Sequence, residues 1–186
     1  LALATEQGFG HSIGHAMLRR GWALAAQGRV TEGLDELRQG LAYREAVGAI
    51  VGRSYDPIFL AEVYESTGQV EEGLHVLAEM RVAVDNSGFR CLEAEIYRLT
   101  GALLLQQAIP NAPQAEAHFE QALEVARRQQ AKSYELRAAM SLSRLWQRQG
   151  KPAAAYELLA PIYGWFTEGF DTADLQDARA LLEELA

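Results

Sequence analysis

Gly28-Arg29-Val30-Thr31-Glu32-Gly33-Leu34-Asp35-Glu36-Leu37 recurs 40 residues later as Gly68-Gln69-Val70-Glu71-Glu72-Gly73-Leu74-His75-Val76-Leu77. Self-similarity at a fixed period of roughly 20–50 residues is the signature of a repeat array. Extending the alignment by the small residue that follows the acidic pair gives Gly33, Gly73, Ala115 and Ala155. Four positions later stand Leu37, Leu77, Phe119 and Leu159, and three further on Gly40, Met80, Ala122 and Ile162. Steps of four and three keep these positions on one helical stripe.

An earlier register runs in parallel. Small residues Gly21, Ala61, Gly101 and Ser143 are followed three positions on by Leu24, Tyr64, Leu104 and Trp146. Each unit is therefore a pair of helices. Glycine punctuates them: Gly28, Gly68 and Gly150 close first helices, and Gly8, Gly48 and Gly88 close second ones, because glycine enters the left-handed region without steric cost. In the third unit Ala108-Ile109-Pro110-Asn111-Ala112-Pro113 replaces the short turn with a longer one. The recurrent small residues predict close crossings where Gly21 faces Gly33, Ala61 faces Gly73, Gly101 faces Ala115 and Ser143 faces Ala155.

These registers divide the 186 residues into one all-α domain, 1–186. Residues 1–8 read as the end of a truncated upstream repeat, which implies a longer parent chain. Repeats follow at 11–48, 54–88, 89–130 and 131–170. The expected helices are His11–Gln27 and Val30–Val47, Asp56–Thr67 and Val70–Asn86, Phe89–Gln107 and Pro113–Gln129, and Lys132–Gln149 and Pro152–Phe166. Asp56-Pro57 reads as an N-cap followed by a first-turn proline, whereas Gly10 and Gly14 should fray the first helix. Residues 171–186 form a capping helix. Its stripe of Leu175, Ala178, Leu182 and Leu185 would cover the open end of the array.

Composition is that of an ordinary globular chain, 49% hydrophobic and 23% charged. No apolar run approaches the roughly 18 residues of a membrane span, and no signal sequence opens the chain. The lone Cys91 reads as a small buried hydrophobe, consistent with a reducing, cytoplasmic compartment. A net charge of -8 opposes general attraction to nucleic acid.

No catalytic constellation emerges. His11-Ser12-Ile13-Gly14-His15 has the two-histidine spacing of a zinc-protease helix, but Ser12 stands where the catalytic glutamate would be. Gly8-Phe9-Gly10-His11-Ser12-Ile13 ends on Ile13 rather than glycine and follows no strand, and Gly150-Lys151-Pro152 lacks the remainder of a phosphate loop. The reading is thus of a non-enzyme without metal or cofactor.

The pattern of small and large residues on two helices, best seen in Ala115-Glu116-Ala117-His118-Phe119-Glu120-Gln121-Ala122-Leu123, resembles the tetratricopeptide repeat. The period exceeds that family's usual figure of about 34 residues, so the units resemble its long variant. The resemblance implies a right-handed superhelical solenoid. A narrower likeness covers residues 126–146 and 158–172. This portion resembles the C-terminal end of bacterial signalling proteins in which a class III adenylate or guanylate cyclase domain, or a DNA-binding domain, precedes a STAND-type ATPase and a tetratricopeptide array. It implies a regulatory module whose partner is a protein, a peptide or another domain of the same chain.

First helices line the inner face of such arrays, and residues six and three before the small position and one after it are expected to face the groove. These are His15, Leu18 and Trp22, then Tyr55, Ile58 and Glu62, then Glu95, Arg98 and Ala102, and last Arg137, Met140 and Arg144. Arg148 continues the face of Arg137 and Arg144. A basic end of this kind suits an acidic segment, although pairing of the arginines with Glu95 and other acidic neighbours is the simpler account of them. Two alternatives remain open, a small-molecule effector sensor and an oligomerisation module. Gly73→Leu should overpack its crossing and cost about 1–3 kcal/mol. An unchanged melting temperature would contradict the register.

Overall fold

The computed structural model describes residues 9–48 and 55–186, with only the backbone of His11. Nine α-helices lie among the described residues, without a strand. The chain divides into two compact units, Leu1–Arg90 and Cys91–Ala186. The first contains α1 (Gly10–Ala26), α2 (Val30–Ala46), α3 (Ile58–Thr67) and α4 (Val70–Ser87). The second contains α5 (Glu93–Gln106), α6 (Ala112–Arg128), α7 (Lys132–Arg148), α8 (Pro152–Tyr163) and α9 (Ala173–Leu185).

Within each unit the packing follows one rule. Helices pair as α1 with α2, α3 with α4, α5 with α6 and α7 with α8; α3 then lies on both α1 and α2, and α7 on both α5 and α6. A single helix thus closes over the preceding pair.

The first, third and fourth crossings are as tight as the small residues predict. A Cβ added to Gly33 would lie 2.6 Å from the Gly21 carbonyl oxygen, and one added to Gly21 would lie 2.8 Å from that of Gly33. At Gly101 the neighbours would be the Phe119 ring at 2.6 Å and the Ala115 carbonyl oxygen at 3.0 Å. At the fourth crossing the Ser143 hydroxyl donates to the Ala155 carbonyl at 3.1 Å, so its side chain is used where glycine's is absent.

A main-chain clasp accompanies each crossing. The residue before each second helix, Arg29, Gln69, Asn111 or Lys151, donates its backbone N–H to the carbonyl of Leu24, Tyr64, Leu104 or Trp146, at 3.0, 2.9, 3.2 and 2.9 Å. These acceptors are the repeated large residues of the first helices. The longer third turn still returns to its own, and Asn111 caps α6 by accepting from the Gln114 N–H at 3.3 Å. Gly28, Gly48, Gly68, Gly88 and Gly150 all have positive φ. Gly8 and the proposed upstream repeat end at 1–8 lie outside the described residues.

Several local expectations need correction. The N-cap position of α3 is Pro57 rather than Asp56, which is buried and paired with Arg44. Gly14 does not disrupt α1 but is buried in it, and a Cβ there would collide with the Arg44 side chain on its way to Asp56. α5 starts at Glu93 rather than Phe89, and α8 ends at Tyr163 rather than Phe166. Leu181, not Leu182, joins Leu175, Ala178 and Leu185 in the buried stripe of α9, which packs on α7 and α8. Cys91 is exposed, although partial burial still raises its thiol pKa.

Gln130, the residue that ends the third hairpin, holds φ 56 where its counterparts are glycine. Left-handed backbone costs a residue with a Cβ about 1–2 kcal/mol, against which glycine's greater freedom in the unfolded chain must be set. Gln130→Gly should therefore stabilise the protein by about 0.5–1 kcal/mol, seen as a higher midpoint in urea unfolding with unchanged slope.

Candidate functional site: the first-helix cations

α5 and α7 are the first helices of the second unit, and both project charged residues six, three or one positions from their small residues. Glu95 on α5 is 2% exposed and binds two guanidinium groups. Arg98, one turn along α5, donates to its Oε1 at 2.7 Å, and Arg137 of α7 reaches the same oxygen at 3.0 Å. A buried carboxylate needs such compensation, because desolvation without a partner is costly.

Beyond this buried point the network loosens. Arg137 also lies 4.0 Å from Asp174, and Arg144 lies 3.6 Å from Asp177, both carboxylates belonging to α9. Arg148 is exposed. The structure thus joins Glu95, Arg98, Arg137 and Asp174 in one ion network, while Arg144 pairs separately with Asp177 of the last helix.

The remaining expected groove residues divide by position. Leu18, Ile58 and Met140, each three residues before its small position, are buried at 0, 7 and 4% exposure and offer no binding surface. A step of three residues turns only about 60° from the small residue, so the position stays on the packing side. Leu18 illustrates this: a Cβ at Gly40 of α2 would lie 3.2 Å from its methyl group. Trp22, one residue after Gly21, is 42% exposed as its offset predicts. His15, Tyr55 and Glu62 are half-buried, and Tyr55 packs on Phe89 with ring centroids 5.6 Å apart.

Sequence reasoning missed two other arrangements in which a buried carboxylate joins separate helices. Glu135 at the start of α7 takes Lys132 at 2.7 Å and Arg127 of α6 at 3.0 Å. Burial raises its pKa, but the hydrogen bonds from Lys132 and Arg127 outweigh that and hold the carboxyl below its ordinary value. Arg44 and Asp56 form the corresponding pair in the first unit. Trp146 is half-buried rather than fully inside, with its indole N–H donating to Glu116 at 2.6 Å. That bond, with one from Gln149, lowers the Glu116 pKa. Tyr64 is a core residue whose hydroxyl accepts from Arg38 at 3.2 Å.

The two kinds of contact should separate on substitution. Glu95→Ala leaves two cations without their buried partner and should cost about 3 kcal/mol or more. Arg144→Ala removes only a partly exposed pair and should cost less than about 1 kcal/mol. Chemical denaturation of the two variants beside the parent measures both.

No family model matches the chain, and no curated protein matches it by sequence. Among solved structures it is similar to a putative kinesin light chain from Podosopora anserina with nearly identical TPR-like repeats, at TM-score 0.63 and 19% identity over 92% of this chain and 84% of that one. The Q17M variant of the same protein superposes with TM-score 0.65 at 18% identity and the same coverage. Together with the helical pairing described above, these likenesses show that the chain has the fold of a TPR-like repeat array.

Proposed function

We propose that this chain is a non-catalytic protein-interaction and regulatory module of a larger cytoplasmic signalling protein, and that it takes an acidic peptide or protein segment along the first helices of its second unit, α5 and α7. TPR-like folds generally mediate protein–protein interaction, by presenting an extended surface built from successive repeats. The likeness of residues 126–146 and 158–172 to the C-terminal ends of cyclase and STAND-ATPase proteins supplies the signalling context. Among the described residues no helix is long and apolar enough to cross a membrane.

One observation carries the choice of partner. Arg144 meets Asp177 at 3.6 Å and Arg137 meets Asp174 at 4.0 Å, through carboxylates that are 67% and 47% exposed. Ion pairs of this sort contribute about 0–1 kcal/mol, so an arriving carboxylate can replace them at small cost. Bidentate arginine contacts would then give the exchange a net gain. Glu95 keeps Arg98 and Arg137 in place throughout, since it is buried beneath them. Arg148, exposed one turn beyond Arg144, lengthens the cationic strip.

Because Arg137 also serves the buried Glu95, it is a poor residue to reverse. Arg144→Glu with Arg148→Glu leaves that core contact intact. Proteins captured on the immobilised parent chain and identified by mass spectrometry are expected to include one that the double variant no longer retains, with the variant melting within a few degrees of the parent. Identical capture by both would overturn the reading.

A further inference from the structure

The second unit has another concavity, away from the first-helix cations. Between α6 and α8, over α7, lies a cleft of about 320 Å³ that opens to solvent. Leu123 of α6, Leu142 and Trp146 of α7 and Leu158 of α8 give it apolar walls. Trp146 satisfies its polar edge through Glu116, so the ring can serve as apolar surface. Glu120, Glu124 and Arg127 stand among the lining residues.

The charges there are unequal. Arg127 is committed to Glu135 at 3.0 Å, whereas among the described residues neither Glu120 nor Glu124 pairs with a cation. These two exposed glutamates stand four apart on α6, hence on one face. The cleft therefore combines an apolar interior with an unopposed acidic edge.

We propose that this cleft is a second docking site, which receives a large apolar side chain from a basic amphipathic helix. An apolar anchor flanked by lysine or arginine at three- or four-residue spacing would bury its side chain against Leu158 and the Trp146 ring, the half-buried members of the lining. Its cations would meet Glu120 and Glu124. Such helix-in-groove recognition draws affinity from the anchor and orientation from the charges. The openness of the cleft favours a side chain carried by a macromolecule over a small effector, which would need deeper enclosure.

A fluorescently labelled, helix-forming peptide of leucine and lysine tests this by anisotropy titration against the 186-residue chain, beside a twin with every lysine replaced by glutamate. The basic peptide should bind at least tenfold more tightly than the twin. Glu120→Lys with Glu124→Lys should weaken it at least tenfold. Glu71→Lys with Glu72→Lys makes the same change in net charge on exposed positions of α4 and should leave binding within twofold of the parent. Equal weakening by both pairs, no weakening by the first, or equal binding of the twin would each overturn the proposal. Arg144→Glu with Arg148→Glu lies outside the cleft, so its result bears on the first-helix reading alone.

Discussion

Two helices cannot approach until their side chains allow it, and in this protein the close approach of α1 to α2 and of α5 to α6 is set by residues that have almost none. Gly21 and Gly33 come so near that each backbone carbonyl occupies the space where the other's Cβ would be. Gly101 meets Ala115 and Phe119 in the same way. With the axes held there, the leucines and aromatics on either side of the crossing have only one set of neighbours. The bond from the second helix's leading N–H to the first helix's large residue closes the C-terminus of the first helix and turns the chain back. Van der Waals contact sets the separation, and the turn sets where the second helix starts.

That division explains which variations the array tolerates. Ser143 fits the fourth crossing because its hydroxyl finds the Ala155 carbonyl, which converts a larger side chain into a bond. The third turn can be longer because only its last N–H must return to Leu104. Buried charge follows a different logic: Glu95 and Glu135 each join residues of two helices, and Asp56 ties the turn before α3 to Arg44 of α2. Such contacts confer little net stability compared with apolar packing, yet they penalise any alternative pairing that would strand the carboxylate.

The hairpins were legible because their requirements are local. A left-handed turn and a close crossing admit few residue types, and both recur at fixed intervals. The start of α5 was less visible, since Phe89 and Arg90 are compatible with a helix but lie before it. The groove was only partly readable. Positions six before and one after the small residue turn about 120° and 100° away from it, while Leu18, Ile58 and Met140 turn about 60° and remain inside. Pairing of Glu95 with the groove arginines was open from the sequence, whereas nothing in the spacing of Arg44 and Asp56 announces that they meet. Their contacts depend on how helices stack, which a single helical period does not encode. The cleft over α7 escaped for the same reason, as its walls come from three helices.

The position of α9 has a consequence for how the protein opens. It packs on α7 and α8, and it supplies Asp174 and Asp177 to the cations of α7. In an array held by nearest-neighbour contacts, single helices can open locally without the rest. Fraying of this helix would remove two negative charges from beside Arg137 and Arg144 at the moment it uncovers the apolar stripe beneath Leu175 and Ala178. Thermal breathing of the last helix is thus coupled to the electrostatic potential of the surface it leaves behind.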